Sequence, residues 1–276
     1  MRDLKKMLQD RYGLEPNDQA EYLNETITGL LCHRVCRAFE DRELDAELLN
    51  LLLACAQSAP TKSNLQQYSI IVVREKAKQK AITDLIPSMP WIASAPVFLA
   101  FLGDVRRIRR LAELRGHDYA NNNADTFMNA AVDAALAMQM FIIAAESVGL
   151  GCCPISYVRN RIEDYAGILE LPDGVFPIAG LPVGWPARDG YVSMRLPQDI
   201  IVHHERYDDG SLNAAVTAYD DRNHDRFPLP AGKQRHTDKY GVMEKCTWSE
   251  NVARQLSLPE RDGFAAWLKS RGIDLG

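Results

Sequence analysis

The chain has 276 residues, 46% hydrophobic and 25% charged, the balance of a globular protein that buries about three quarters of its unfolded surface. A net charge of -5 argues against a general nucleic-acid binder, because counterion release needs a basic face, so any phosphate site must be local. Six cysteines without dense spacing, and a Met1–Lys6 start with no apolar signal core, argue against a secreted disulfide scaffold and lead to the expectation of a reducing cytoplasm.

Leu4, Met7, Leu8 and Tyr12 recur at helical spacing; after a break from Gly13 to Asp18, a second apolar stripe runs through Ile27, Leu30 and Leu31 into Cys32-His33-Arg34-Val35-Cys36-Arg37. Asp45 caps a predicted helix over Ala46–Gln57, with Leu48, Leu49, Leu52, Leu53 and Ala56 on one face. Tyr68–Val73 is a predicted buried strand, paired with Ala95–Phe101 across a helix at Lys76–Ile86, in alternating α/β order.

The run Asp125–Gly149 is apolar on nearly every side. Its length approaches a membrane span, but Asp133, Gln139 and Glu146 interrupt it, so a core or subunit-interface helix is expected and no membrane partner. A small-residue strand through Ile155, a helix over Val158–Leu169, a turn at Leu171–Gly174 and a last core strand over Phe176–Trp185 follow. Beyond Arg188 the composition turns to Asp, Arg, His and Pro. The chain is therefore expected to be one domain, with a core at about 27–200 and a tail at about 201–276 that wraps rather than building its own core. The arginine run Arg106–Arg110 reads as a solvated helix face.

Two segments carry the chemistry. The cluster at Cys32–Arg37 holds two arginines and a histidine, which repel one another unless an anion or water lies between them, and Arg34 and Arg37 suit bidentate phosphate binding. Ser58–Gln66 is a Pro-interrupted loop of hydroxyls and amides, with Ser63, Asn64 and Gln66 free to serve ring carbonyls, ring nitrogens or ribityl hydroxyls. With Gly151 for close backbone approach and Arg195 after the last strand, these are the demands of flavin mononucleotide, FMN. Cys32, His33 and Cys36 lack a second pair at ligand spacing, so no metal is expected.

In order along the chain, His33-Arg34-Val35-Cys36-Arg37-Ala38-Phe39 resembles His-Arg-Ser-x-Arg-x-Phe of the nitroreductase family, and Gln57–Gln66 resembles its small-residue loop ending in Asn-Leu-Gln. Ala144–Gly151, Leu181-Pro182-Val183-Gly184-Trp185-Pro186 and Arg195-Leu196-Pro197 are similar to its later signatures. Thr247-Trp248-Ser249 and Glu260-Arg261 resemble a tail feature of the branch of oxygen-insensitive NADPH nitroreductases and NADPH flavin reductases.

The resemblance implies an α+β fold with a mixed sheet flanked by helices, in an intertwined homodimer with an extended C-terminal tail. It implies FMN as cofactor, NADPH or NADH as co-substrate, and small aromatic or flavin acceptors reduced in ping-pong fashion. His33, Arg34, Val35, Arg37 and Arg195 would bind the FMN phosphate and ribityl, Ser63 and Gln66 would fall near the flavin, and Leu150, Gly151 and Cys152 would pass the ring. Arg261 would line the substrate pocket. Two departures stand out: Ser193 replaces a lysine, which lowers the flavin potential unless another cation serves, and Met89 replaces a glutamine. The NADPH loop is altered, leaving Lys233, Arg235 and His236 as candidates for the 2′-phosphate. Rival readings are a dehalogenase, an ene or azo reductase, or a non-enzymatic FMN store or redox sensor.

Overall fold

The structure, a computed structural model, describes residues 3–13 and 22–276, so the break expected from Gly13 to Asp18 lies outside it beyond Gly13. In chain order the elements are α1 (Leu4–Tyr12), α2 (Glu25–Leu31), α3 (Ala46–Gln57), β1 (Tyr68–Val73), α4 (Lys76–Asp84), β2 (Val97–Asp104), α5 (Arg106–Arg115) and α6 (Ala124–Ser147). There follow β3 (Gly151–Cys152), α7 (Ile162–Ile168), β4 (Val175–Gly184), α8 (Gln198–Ile201), α9 (Leu212–Arg226), α10 (Thr237–Tyr240), α11 (Trp248–Leu256) and α12 (Phe264–Ser270). They group into two compact units, one of Met1–His33 with Tyr191–Glu260, the other of Arg34–Gly190 with Arg261–Gly276. The boundary falls between His33 and Arg34, inside the basic cluster.

The larger unit is built on a four-stranded sheet of order β1-β2-β4-β3, and the alternating order read along the chain resolves into antiparallel pairing throughout. Central strand β2 is buried along its whole length because both faces are covered. Val97, Leu99 and Phe101 point into a cluster with α3 and α6, while Phe98, Ala100 and Leu102 point into a second cluster with Ile82, Tyr165, Phe176 and Trp267. Each large side chain fully buried this way contributes about 1.5–3 kcal/mol. Pairing with β4 shifts register between Phe101 and Leu102, opposite Pro177, a residue with no amide to give the ladder.

α3 begins where the sequence predicts, with Asp45 Oδ1 accepting from the Glu47 and Leu48 amides at 2.8 and 2.9 Å. Two elements are shorter than expected. The strand through Ile155 is only Gly151–Cys152, with Ile155 making an isolated bridge to Gly180, and the helix over 158–169 breaks into a 3-10 turn at Ser156–Arg159 and α7. Pro154 explains the first, since it cannot donate to a ladder. α6 is long and apolar enough to cross a membrane, yet Ala130, Ala134, Ala137, Phe141 and Ala145 pack into the sheet's core. Met128, Val132 and Leu136, four residues apart, form an exposed stripe on it. The end of the tail joins this unit too, with Trp267, Leu268 and Ile273 in the core and Arg109 donating to the Gly272 carbonyl at 2.6 Å.

Residues 191–260, which take in the end of the expected core and most of the tail expected at about 201–276, group with the N-terminal helices into the smaller unit, whose packing rests on buried polar groups as well as on Met7, Met194, Tyr219 and Cys246. Asp220 accepts from the Ser249 amide at 2.9 Å and from its hydroxyl, and Arg254 donates to Glu250 and to the Gly241 carbonyl at 2.7 and 2.8 Å. Sparse apolar periodicity concealed this unit because its interior carries charges satisfied in place.

Candidate functional site

The basic turn and the polar loop both belong to the larger unit from Arg34 onward. Arg34 Nη2 lies 3.0 Å from Asp189 Oδ1, and Gly190 lets the chain pass close to the turn, since a Cβ there would sit 3.1 Å from the Val35 carbonyl. The exposed Arg37 brings its guanidinium close to the buried Cys153 thiol. Burial raises that thiol's pKa, and Arg37 opposes the shift. At Cys36 burial again raises the pKa, opposed in part by its bond to Ala38 and then by Arg34 and Arg188. Three arginines thus converge on two thiols, a local positive field in a chain of net negative charge.

Leu150, Gly151 and Cys152 are buried behind this turn. The Cys36 amide donates to the Cys152 carbonyl at 2.8 Å, and the space beside Gly151 is filled by Cys36: an added Cβ would overlap Cys36 Cβ and lie 2.8 Å from its Sγ. Glycine is required there by the packing of Cys36, a reason the sequence reading did not supply. Burial also holds the Cys152 thiol well above its ordinary pKa. All six cysteines are free.

The polar loop is held in an uncommon shape. Ser63, Asn64 and Gln66 all have left-handed backbone, at φ 48, 57 and 53°, which costs a non-glycine residue about 1–2 kcal/mol each. All three side chains are exposed, and Gln66 Nε2 donates to Asn64 Oδ1 at 3.3 Å. Two groups brace the backbone. Asp133, 1% exposed on α6, accepts from the Lys62 amide through Oδ1 and from the Gln67 amide through Oδ2, each at 3.0 Å. Arg107, at the start of α5, donates to the carbonyls of Gln66 and Tyr68 at 2.7 and 3.0 Å, and is anchored by Ser69 and Asp104. At the loop's two ends Thr61 Oγ1 and Gln67 Oε1 are buried and have no protein partner. The guanidinium turn suits a phosphate, and the loop's exposed hydroxyl and amides suit a polar ring edge, the two demands that FMN makes.

The smaller unit holds His33, Arg195, Lys233, Arg235 and His236. Arg11, 5% exposed and not singled out from sequence, donates to the carbonyls of Leu31, His33 and Ser193 at 2.9, 2.7 and 2.9 Å, while its own carbonyl accepts from the Arg195 amide at 2.7 Å. It gathers the His33 and Arg195 segments around one cation. Ser193, the departure from the expected lysine, accepts from Arg195 Nη1 at 2.6 Å and so orients that arginine. Lys233 ends a 3-10 turn, the Arg235 amide donates to Asn251 at 2.8 Å, and His236 is left-handed at φ 47°. Arg261 lies in the larger unit, where its Nε donates to Asn160 at 2.7 Å and its charge, after burial, lowers the pKa of Arg159. Met89, the other departure, packs against the core.

Comparison with known proteins agrees with this organisation. Residues 32–185 match the nitroreductase family, and residues 193–276 match the nitroreductase family, C-terminal domain. An FMN reductase [NAD(P)H] of Bacillus subtilis is 38% identical over 72% of this chain and 82% of its own. An oxygen-insensitive NADPH nitroreductase of Salmonella typhimurium is 30% identical over 91% of this chain and 98% of its own. The solved structure of B. megaterium NfrA2 superposes with a TM-score of 0.83 at 30% identity, over 92% of this chain and all of that one. With matches across the turn, loop, sheet and tail, the chain belongs to the nitroreductase family.

Proposed function

We infer that this protein is an FMN-dependent NAD(P)H oxidoreductase that reduces nitroaromatics, quinones or free flavin. The observation that carries the reading is the Arg34–Arg37 turn paired with the braced loop Thr61–Gln67, inside a family match whose relatives are named FMN reductase and NADPH nitroreductase. Bound FMN would supply the redox chemistry that links NAD(P)H to an acceptor. The protein binds, orients and tunes. Arg34 and Arg37 hold the phosphate, with Arg34 exchanging Asp189 for it; Ser63, Asn64 and Gln66 bond the ring edge and ribityl; Leu150, Gly151 and Cys152 back the ring. Val35 belongs with the turn, and His33 and Arg195, in the smaller unit, are carried as phosphate candidates by resemblance alone.

Lys233, Arg235 and His236 are our candidates for the 2′-phosphate of NADPH, and Arg261 for the acceptor pocket. The exposed stripe Met128, Val132 and Leu136 supports a homodimer, because an apolar helix face left in water costs free energy that a second copy recovers. Free thiols in all six cysteines support a cytoplasmic location.

Purified protein should be yellow with one FMN per chain, and Arg37→Ala should lose it at moderate salt. A colourless protein that FMN cannot reconstitute contradicts the cofactor assignment, and unchanged retention in Arg37→Ala moves the phosphate elsewhere. Val132→Glu should shift the light-scattering mass from dimer to monomer; a monomeric wild type removes the dimer. If NADH reduces the protein as fast as NADPH, the Lys233 and Arg235 assignment fails.

A further inference from the structure

We propose that Asp133 is a positioning residue for the flavin: its buried carboxylate pinches the polar loop shut at both ends and so sets the left-handed backbone that presents Ser63, Asn64 and Gln66. The proposal rests on reading that loop as the ring end of the FMN site.

Asp133 has no reason to exist as packing. It is the one buried acid of a helix whose neighbouring inward positions, Ala130, Ala134, Ala137 and Phe141, are apolar, and a buried carboxylate is retained only where hydrogen bonds repay its desolvation. Both of its oxygens are used, and both on the same loop, at Lys62 and Gln67. Those amides bracket the three residues with positive φ. A segment with three left-handed non-glycine residues relaxes unless its surroundings over-determine it, and two charge-assisted bonds from a rigid helix do that. Arg107 braces the loop's outgoing carbonyls from the opposite chemical sense, donating where Asp133 accepts. The Lys62 and Gln67 amides are consumed inward by Asp133, the Asn64 and Leu65 amides turn back onto Thr61 and Lys62, and Arg107 takes the Gln66 carbonyl, so what the loop presents outward is the side chains of Ser63, Asn64 and Gln66.

Two variants test this. Asp133→Asn keeps the shape but offers one amide an NH₂ in place of an acceptor. Lys62→Pro deletes the other half of the pinch without touching Asp133, in a position where proline is tolerated because Thr61 is extended and residue 62 opens a helical turn. The first readout is hydrogen exchange of loop amides 63–67 in FMN-free protein, which does not depend on the cofactor reading. The second is FMN affinity together with the midpoint potential and visible bands of the bound flavin, with Ile142→Val on the same helix as a purely structural control.

We expect protection of the loop amides to fall about tenfold or more in both variants, FMN to bind about tenfold more weakly, and the flavin bands and potential to shift, with none of these changes in the control. Loop exchange within twofold of wild type in both variants overturns the pinch. Fast exchange with unchanged FMN affinity, bands and potential leaves Asp133 a loop brace and overturns its role toward the flavin. If wild type itself binds no FMN while the exchange effect stands, it is the cofactor reading that has failed.

Discussion

The two units fix their irregular segments with opposite charges. In the smaller unit a buried cation, Arg11, collects three backbone carbonyls; in the larger a buried anion, Asp133, collects two backbone amides. Each pays a desolvation cost to hold backbone that neither helix nor sheet satisfies. The lesson is that the segments proposed to meet the cofactor are set by charges one layer behind them. Arg11 fixes the carbonyls beside His33 and Arg195 by direct contact, whereas Asp133 acts on three residues it does not itself touch.

The comparison predicts a ranking. Arg11→Ala should cost most, about 4 kcal/mol in urea unfolding, because three carbonyls lose their donor and a large side chain leaves a cavity; Arg11→Lys should recover only part, since an ammonium cannot fork. Asp133→Asn should cost about 2 kcal/mol, as one amide keeps its acceptor. Equal losses for the two would show that the number of backbone partners does not set the effect.

Gly151→Ala should destabilise by about 1–3 kcal/mol through overlap with Cys36. Because the nearest atom is Cys36 Cβ, adding Cys36→Ala should give little relief and Cys36→Gly more; full rescue by Cys36→Ala would place the clash at sulfur instead.

Alkaline pH should weaken the larger unit more. Burial raises the thiol pKa values of Cys36, Cys152 and Cys153 there, against Cys246 in the smaller unit. The folded state keeps these protons when the unfolded chain releases them, so the thiols' contribution is intact below about pH 9 and is lost as pH climbs toward the raised folded values. Unfolding at pH 7 and pH 10, with alkylation of native protein mapped by peptide, checks this; rapid native labelling of Cys152 at pH 7.5 would contradict it. The smallest effect belongs to Asp189→Ala. The exposed Arg34–Asp189 pair should change stability by less than about 0.5 kcal/mol, while freeing Arg34 should tighten FMN binding. A weaker FMN complex would mean that Asp189 orients Arg34 instead of competing for it.

Much of the larger unit could be read ahead of the structure. Asp45, Leu49, Leu52 and Ala56 declare α3, a β-branched run declares β1 and a short apolar run β2, because cap chemistry and periodicity are local. Asp133 was visible as an acid on an apolar helix, but only as an interruption, since its partners lie far off in sequence. Arg11 gave no signal at all: on a short amphipathic helix with Lys5 and Lys6 it looks like one more solvated base. Glycine at 151 suggested room for a ligand, and what fills that room is a cysteine from a different segment. The smaller unit was least legible because charged residues fill its interior, and hydropathy cannot separate a satisfied buried charge from a surface one.

The most direct test of the central claim is anaerobic rapid-mixing spectroscopy of the FMN-loaded protein. The account predicts that NADPH bleaches the flavin band in a single phase, and that a nitroaromatic or quinone added afterwards restores it, with parallel double-reciprocal lines in steady state. A flavin that stays oxidised under NADPH, or a reduced flavin that no such acceptor re-oxidises, would contradict an oxidoreductase of this kind.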